Sequence, residues 1–194
     1  MTALFLDSTH PRPNCVTIST PQPFEDAFHY CPRCGTPNPK VGVIPFHCGK
    51  CDFAFYFGPV AAVGGLILDD ADRLLVVRRA RDPGMNQWGL PGGFIDRCET
   101  AEEALAREIR EETQLTVASC DLLMTGPNIY KHHGVIGHVI DLFYLCRVES
   151  CDNVQLAQSE LCEYRWCIPD AEILDNMAFE SNRIAIERWM SDRR

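Results

Sequence analysis

The stretch GGFIDRCETAEEALAREIREETQL, residues 92–115, decides how the rest of the chain is read. Thr100 followed three residues later by Glu103 has the form of a capping box, which predicts a helix starting at that point. At about 100° per residue, Glu108, Glu111 and Glu112 fall on one side of this helix together with Ala101, Ala104, Leu105, Ile109 and Leu115. Glu102, Glu103, Arg107, Arg110, Thr113 and Gln114 form the expected solvated side. Three carboxylates are thereby set among residues that ought to be packed. Clustered carboxylates repel, and burying them is unfavourable unless a cation compensates. A hard divalent cation with oxygen ligands accounts for the pattern most simply. A charged surface helix with i,i+4 pairs such as Arg107 with Glu111 would explain the arginine but not the glutamates on the packing side.

Gly93, Glu99, Arg107, Glu108, Ile109, Glu111, Glu112 and Leu115 together resemble the signature of the Nudix hydrolases. That signature runs glycine, five residues, glutamate, seven residues, then Arg-Glu-apolar-x-Glu-Glu-x-Gly-apolar. Gln114 stands where the family has its second glycine, a position that shapes the helix exit rather than the chemistry. The resemblance implies hydrolysis of a P–O–P bridge in a nucleoside diphosphate linked to another group. It also implies Mg2+ or Mn2+ held by Glu108, Glu111 and Glu112, with the Gly93 carbonyl as a further ligand. Arg107 would orient a glutamate through a charge-assisted bond, and Glu99 would pin the loop or join the outer metal shell.

Composition agrees with one core and a small appended module: 194 residues, 46% hydrophobic and 23% charged. No apolar run approaches the ~20 residues of a membrane span, and residues 1–14 have no basic leader, so neither membrane insertion nor secretion is expected. A net charge of -9 disfavours binding nucleic acid by phosphate neutralisation. It does not exclude a phosphorylated substrate, because a bound metal inverts the local potential. Eleven cysteines, an odd number, suit a reducing, cytoplasmic setting with some thiols on metal.

Three segments are expected. Residues 1–28, rich in Pro, Thr and Ser, read as an extended arm, and Cys15 in it has no partner at ligand spacing. Residues 29–56 hold Cys31-x-x-Cys34 and Cys48-x-x-Cys51, separated by thirteen residues, the spacing of a four-thiolate zinc ribbon. Such a site is closed, so its Zn2+ would be structural, with Gly35 and Gly49 allowing the turns that aim amides at the sulfurs. Residues 57–194 form the third segment. There Pro59–Leu68 reads as a strand, Asp69–Asp72 as a turn and Arg73–Arg78 as its hairpin partner. Ala80–Leu90 is a loop with Trp88 as a packing anchor. Thr116–Thr125, Val135–Val148 and Glu163–Ile168 read as further strands. From Pro169 the chain is helical, ending in Phe179–Met190 with Phe179, Ile186, Trp189 and Met190 as the buried stripe. Strands around one helix and closed by another make an α/β layered sandwich. The resemblance implies the same: an α/β/α sandwich with a mixed sheet, preceded by the ribbon.

The general base is sought in the segment after the third strand, which holds Asp152, Glu160 and Glu163. Glu160 is preferred, because it precedes a strand in the manner of family members with a loop base. For substrate selection, Tyr130, His132, His133 and His138, with Phe53, Phe55 and Tyr56, are the aromatic and polar candidates, and Tyr130 is preferred. A ribbon before a Nudix domain also resembles the NADH pyrophosphatase branch, which removes NAD caps from RNA. The Ser-Gln-Pro-Trp-type motif of that branch has no counterpart between Leu115 and Arg194, and Thr20-Pro-Gln-Pro-Phe24 lies on the wrong side of the ribbon. An ADP-ribose-like or FAD-like dinucleotide is therefore the preferred substrate. The competing class is a non-catalytic sensor or nucleic-acid adaptor working through the ribbon, whose Arg33, Lys40 and Lys50 are few for that purpose. A homodimer is left open.

Overall fold

The computed structural model describes residues 21–132 and 134–193; most of the N-terminal arm, Cys15 and His133 lie outside the described residues. In chain order the elements are β1 (Gln22–Pro23), a 3-10 turn over Phe24–Ala27, β2 (Phe46–His47), β3 (Ala54–Phe55), β4 (Val60–Ile67), β5 (Leu74–Arg79) and β6 (Trp88–Gly89). Then follow α1 (Ala101–Thr113), β7 (Val117–His132), β8 (Val135–Val148), β9 (Leu161–Cys167), α2 (Ala171–Asp175) and α3 (Glu180–Asp192).

β8 organises a mixed four-stranded sheet. One of its edges pairs with antiparallel β7 over its whole length; the other takes β1 and then β4, both parallel. A second, antiparallel sheet has the order β6-β5-β9. Because successive side chains of a strand face opposite ways, each interior strand feeds two cores. Leu66, Leu68, Leu74, Val76 and Phe143 pack with Trp88, Ala185, Ile186 and Trp189 on the α3 side. Val63, Ile67, Leu75, Val77, Tyr144 and Cys146 pack with Ala104, Leu105 and Ile109 on the α1 side. That alternation is what makes a three-layer sandwich from near-continuous apolar runs.

The cysteine module is a β2–β3 hairpin with a small core of Cys31, Phe46 and Cys48. Phe28 joins it to the body, with its ring 4.7 Å from Phe57 and 5.6 Å from Phe46. The end of the arm is ordered: β1 extends the main sheet, and Phe24 packs edge-on to Phe28.

Several expectations are corrected. β4 and β5 do not form a hairpin ladder: one bridge, Leu68–Leu74, closes the turn and the strands then diverge into the two sheets. The deciding partner is β8, which offers β4 a parallel register from Val60–Val139 to Ile67–Cys146. β7 does not stop near Thr125 but continues through Gly126-Pro127, residues that interrupt most strands, because β8 pairs with it as far as His132. The C-terminal helical segment is broken between α2 and α3. There Asn176 O accepts from Trp88 N at 2.9 Å and Ala178 N donates to Trp88 O at 2.8 Å, so β6 takes the backbone groups a continuous helix would use. On α1, Thr113 is fully buried rather than solvated, its hydroxyl donating to Ile109 O at 2.6 Å. Gly49 does not take a left-handed conformation. In the second knuckle Asp52 (φ 54°) does so, matching Gly35 (φ 71°) in the first.

Candidate active site

α1 begins as its sequence predicts. Thr100 accepts from Glu103 N, and the Glu103 carboxylate accepts from Thr100 N at 2.8 Å, so two otherwise orphaned amides are satisfied. Its far end carries Gln114 in the left-handed conformation (φ 61°), with the side-chain amide donating to Arg110 O. The family's glycine is explained by this geometry, and Gln114 adopts it at some cost.

The glutamates of α1 grade from packed to open. Glu112 is 6% exposed, the Glu108 side chain 17% and the Glu111 side chain 61%. All three line a cavity of about 320 Å³, together with Gly92, Gly93, Phe94, Tyr130 and Glu160. Gly93 O accepts from Val63 N at 2.8 Å, which ties the glycine loop to β4 and leaves one carbonyl lone pair. Gly92 N donates to Glu112 Oε2 at 2.9 Å. Burial pushes Glu112 up to about 8, with the carboxylates of Glu108 and Glu160 adding to the effect, and burial likewise raises Glu108.

Arg107 is not a solvated residue. Its guanidinium donates to Glu99 at 2.7 and 3.1 Å, to Glu108 at 2.8 Å, to Glu111 at 3.4 Å and to Phe94 O at 3.1 Å. Glu99, held below the usual carboxylate range by Arg107 and by the Asp96 amide, pins the loop to the helix. Among the described residues no basic side chain pairs with Glu112. A nearly buried carboxylate with one amide donor, beside two more carboxylates and a free carbonyl lone pair, is an all-oxygen donor set that fits a hard divalent cation.

The loop acid arrives because the segment before β9 is stitched to the end of α1. Gln155 N donates to Thr113 O and Ala157 N to Glu112 O, satisfying carbonyls the helix leaves open. Of the three loop acids considered, Glu160 alone lines the cavity, where its carboxylate pairs with Arg81 at 2.7 Å. Glu163 is turned to Arg78 and Arg165, and Asp152 to Ser150. Of the aromatic and histidine candidates, Tyr130 lines the cavity, its ring 5.4 Å from Phe94 and 6.1 Å from Phe179. Phe53 and Phe55 belong to the aromatic cluster of the hairpin module, and Tyr56 and His138 are exposed. Trp88 is a packing anchor as expected, with Arg78 and Arg165 over its ring.

Arg79, Arg81, Asn128, Asp141 and Asn182 also line the cavity and escaped the sequence reading, and Phe179, expected in the buried stripe of the last helix, lines it too. Asp141 left a signal: it is the one acid in the apolar run Gly137–Cys146. It is 6% exposed and accepts from Ser181 Oγ at 2.6 Å.

The four cysteines of the N-terminal module converge, with all Sγ atoms within 4.8 Å of one another. Cys31–Cys51 and Cys34–Cys48 are each 3.7 Å apart. Four thiolates at ~2.3 Å around one ion would stand ~3.8 Å apart. The two knuckles repeat one backbone pattern: Gly35 N donates to Cys31 O and Asp52 N to Cys48 O. Thr36, through its hydroxyl and amide, holds the Cys34 thiol down to about 6, and the amides of Lys50 and Cys51 lower Cys48.

These features agree with the relatives of the chain. The NUDIX domain model matches residues 58–188. An ADP-ribose pyrophosphatase of Methanocaldococcus jannaschii is 36% identical over 96 residues, 50% of this chain and 55% of the relative. A MutT-like protein of Streptomyces ambofaciens is 35% identical over 117 residues, 60% of this chain and 68% of the relative. The solved structure of a MutT NUDIX hydrolase from Burkholderia pseudomallei is 28% identical with a TM-score of 0.56, covering 68% of this chain and 98% of that one. The chain thus spans about half the length of the first of these relatives and nearly all of the solved domain. With the domain matched over well more than half its length and the glutamate helix in place, the chain belongs to the Nudix hydrolase family.

Proposed function

We propose that the chain hydrolyses the pyrophosphate bond of a nucleoside diphosphate derivative of the ADP-ribose or FAD type. The observation that carries this reading is the convergence of Glu108, Glu111, Glu112, Glu160, Arg79 and Arg81 on one cavity that Phe94, Tyr130 and Phe179 also line. Glu108, Glu111 and Glu112, with the remaining lone pair of Gly93 O, would hold Mg2+ or Mn2+. Such an ion neutralises phosphoryl charge and makes bound water acidic. Arg107 positions Glu108 and Glu111 while leaving Glu112 to the ion. Arg79 and Arg81, which line the same cavity, offer guanidinium groups to the diphosphate. Glu160 is the proton acceptor for the attacking water, oriented by Arg81. Tyr130 contributes to the aromatic wall that takes the organic part of the substrate. In the N-terminal module Cys31, Cys34, Cys48 and Cys51 would hold Zn2+ in a closed, structural site.

A screen of ADP-ribose, FAD and NADH with Mg2+, with products identified, tests this. Release of AMP from one of them is the expected outcome, and Glu111→Gln, at the most exposed of the three helix glutamates, should remove nearly all turnover while leaving the fold intact. Failure to turn over any dinucleotide, or full activity in Glu111→Gln, would refute the reading.

A further inference from the structure

Two cysteines that belong to neither metal site face each other across a strand pair: Cys120 on β7 stands directly opposite Cys146 on β8. Residues so paired in an antiparallel ladder have Cα atoms about 4.5–5.5 Å apart and side chains on one face. That separation falls within the range of disulfide-bonded residues, about 4.4–6.8 Å. Both side chains are turned to the core on the α1 side. They differ in access. Cys146 is 1% exposed, its thiol donating to Tyr144 O at 3.6 Å, whereas Cys120 is partly exposed. The ladder shifts register on either side of Cys120, between Val117 and Ser119 and between Leu122 and Met124. Irregular pairing of this kind leaves the backbone room to adjust to a cross-link.

A single buried cysteine packs as a small hydrophobe. Two that oppose each other, one of them reachable from solvent, form a dithiol. We propose that Cys120 and Cys146 form a reversible cross-strand disulfide, a redox staple in the β7–β8 ladder, by exchange with a small disulfide that enters at Cys120. The Cys120 thiolate attacks one sulfur of that reagent, releases half of it as a thiol and leaves a mixed disulfide. The Cys146 thiolate then attacks Cys120 Sγ, closing the Cys120–Cys146 bond and expelling the second half as a thiol. The protein loses two electrons and two protons, and one reagent disulfide becomes two thiols. Burial raises both thiols, Cys146 up to about 12, and the carboxylates of Glu102 and Asp121 add to the rise at Cys120. Those carboxylates disfavour an anionic reagent there and favour a cationic one. The staple closes a loop that carries Asn128, Tyr130 and Asp141, and so pins the register of the strands that line the cavity. It would form whatever reaction the cavity supports.

The full chain, purified with zinc, is treated with cystamine, alkylated with iodoacetamide in denaturant and mapped by peptide mass, and a second portion is unfolded in denaturant. Cys120 and Cys146 should be recovered in one disulfide-linked peptide pair that dithiothreitol reverses. Treatment should raise the unfolding midpoint of the wild type and not that of Cys146→Ser. Cys146→Ser should hold Cys120 as the cysteamine adduct, and Cys120→Ser should leave Cys146 a free thiol. Cystamine should link the pair at least about threefold faster than glutathione disulfide, which is anionic. Both cysteines recovered as free thiols, a Cys120 adduct that persists with Cys146 present, or pairing of either with another cysteine would overturn the proposal. So would a linked pair with no rise in the midpoint, and equal rates for the two reagents would refute entry at Cys120. The wild-type map decides even if either variant fails to fold.

Discussion

Replacing Gly93 by alanine should separate catalysis from stability. A Cβ at Gly93 would stand 2.6 Å from Cδ and Oε1 of Glu108 and 2.7 Å from its Oε2. Ordinary contact begins near 3.4 Å, so the carboxylate must retreat by about 0.8 Å. The obstructed atoms are the tip of a flexible side chain, so the cost in stability is that of a rotamer shift, about 0.5–1.5 kcal/mol. Magnesium demands near-ideal geometry from its ligands, and a displacement near 1 Å at a reacting centre costs on the order of 100-fold. The neighbouring glycine gives the opposite case. At Gly92 a Cβ would lie 2.1 Å from the backbone oxygen of Val63, with φ at 149°, and neither can yield. Gly92→Ala should therefore lose stability, on the order of 1–3 kcal/mol or more. The assay is kcat at saturating Mg2+ on the dinucleotide identified in the screen, with a denaturant melt of each variant. Gly93→Ala retaining kcat within threefold of wild type would show that the seat of Glu108 against the glycine loop does not matter to the reaction.

Three further outcomes are expected. Gln114→Gly should stabilise the fold by about 0.5–1 kcal/mol, since glycine accepts the left-handed helix cap without strain, and should leave kcat unchanged; a destabilised variant would mean that the bond from the Gln114 side chain to Arg110 O outweighs the strain. At Asp69 burial alone would raise the carboxyl, but bonds from the amide and side chain of Arg73 and the amide of Ala71 outweigh it and hold it below the usual carboxylate range. A depressed folded value contributes stability above the unfolded pKa of about 3.9 and loses it as pH falls through the folded value. Asp69→Asn should thus weaken the fold at neutral pH and flatten the acid limb of a stability–pH curve, and an unchanged limb would refute the assignment. Cys34→Ser should release zinc and loosen residues 29–56, read by metal analysis and amide exchange, while less than about one zinc per wild-type chain would refute the ribbon.

Glu108, Glu111, Glu112, Arg107 and Glu99 were legible because their spacing on one helix is local information, and the capping box marked where that helix begins. The cysteine pairs were legible for the same reason. The resemblance already favours Glu160 over Glu163; the structure adds that Glu160 lines the cavity while Glu163 turns to Arg78 and Arg165, which depends on neighbours far away in the chain. Phe179 shows the opposite error: its helical spacing suggested core, and the structure puts it on the cavity wall.

By itself, then, the sequence determined what is periodic or short-range: the glutamate helix and its cap, the metal-type residue sets, the interior strands and the family. Tertiary structure alone decided that β4 pairs with β8 rather than with β5, that the last helical segment breaks to bond β6, and that Arg79, Arg81, Asp141 and Asn182 meet the glutamates. The physical reason is common to all three. Which strand edge is satisfied, and which polar side chain is left facing a cavity, depends on partners far away in the chain, and a local pattern carries no record of them.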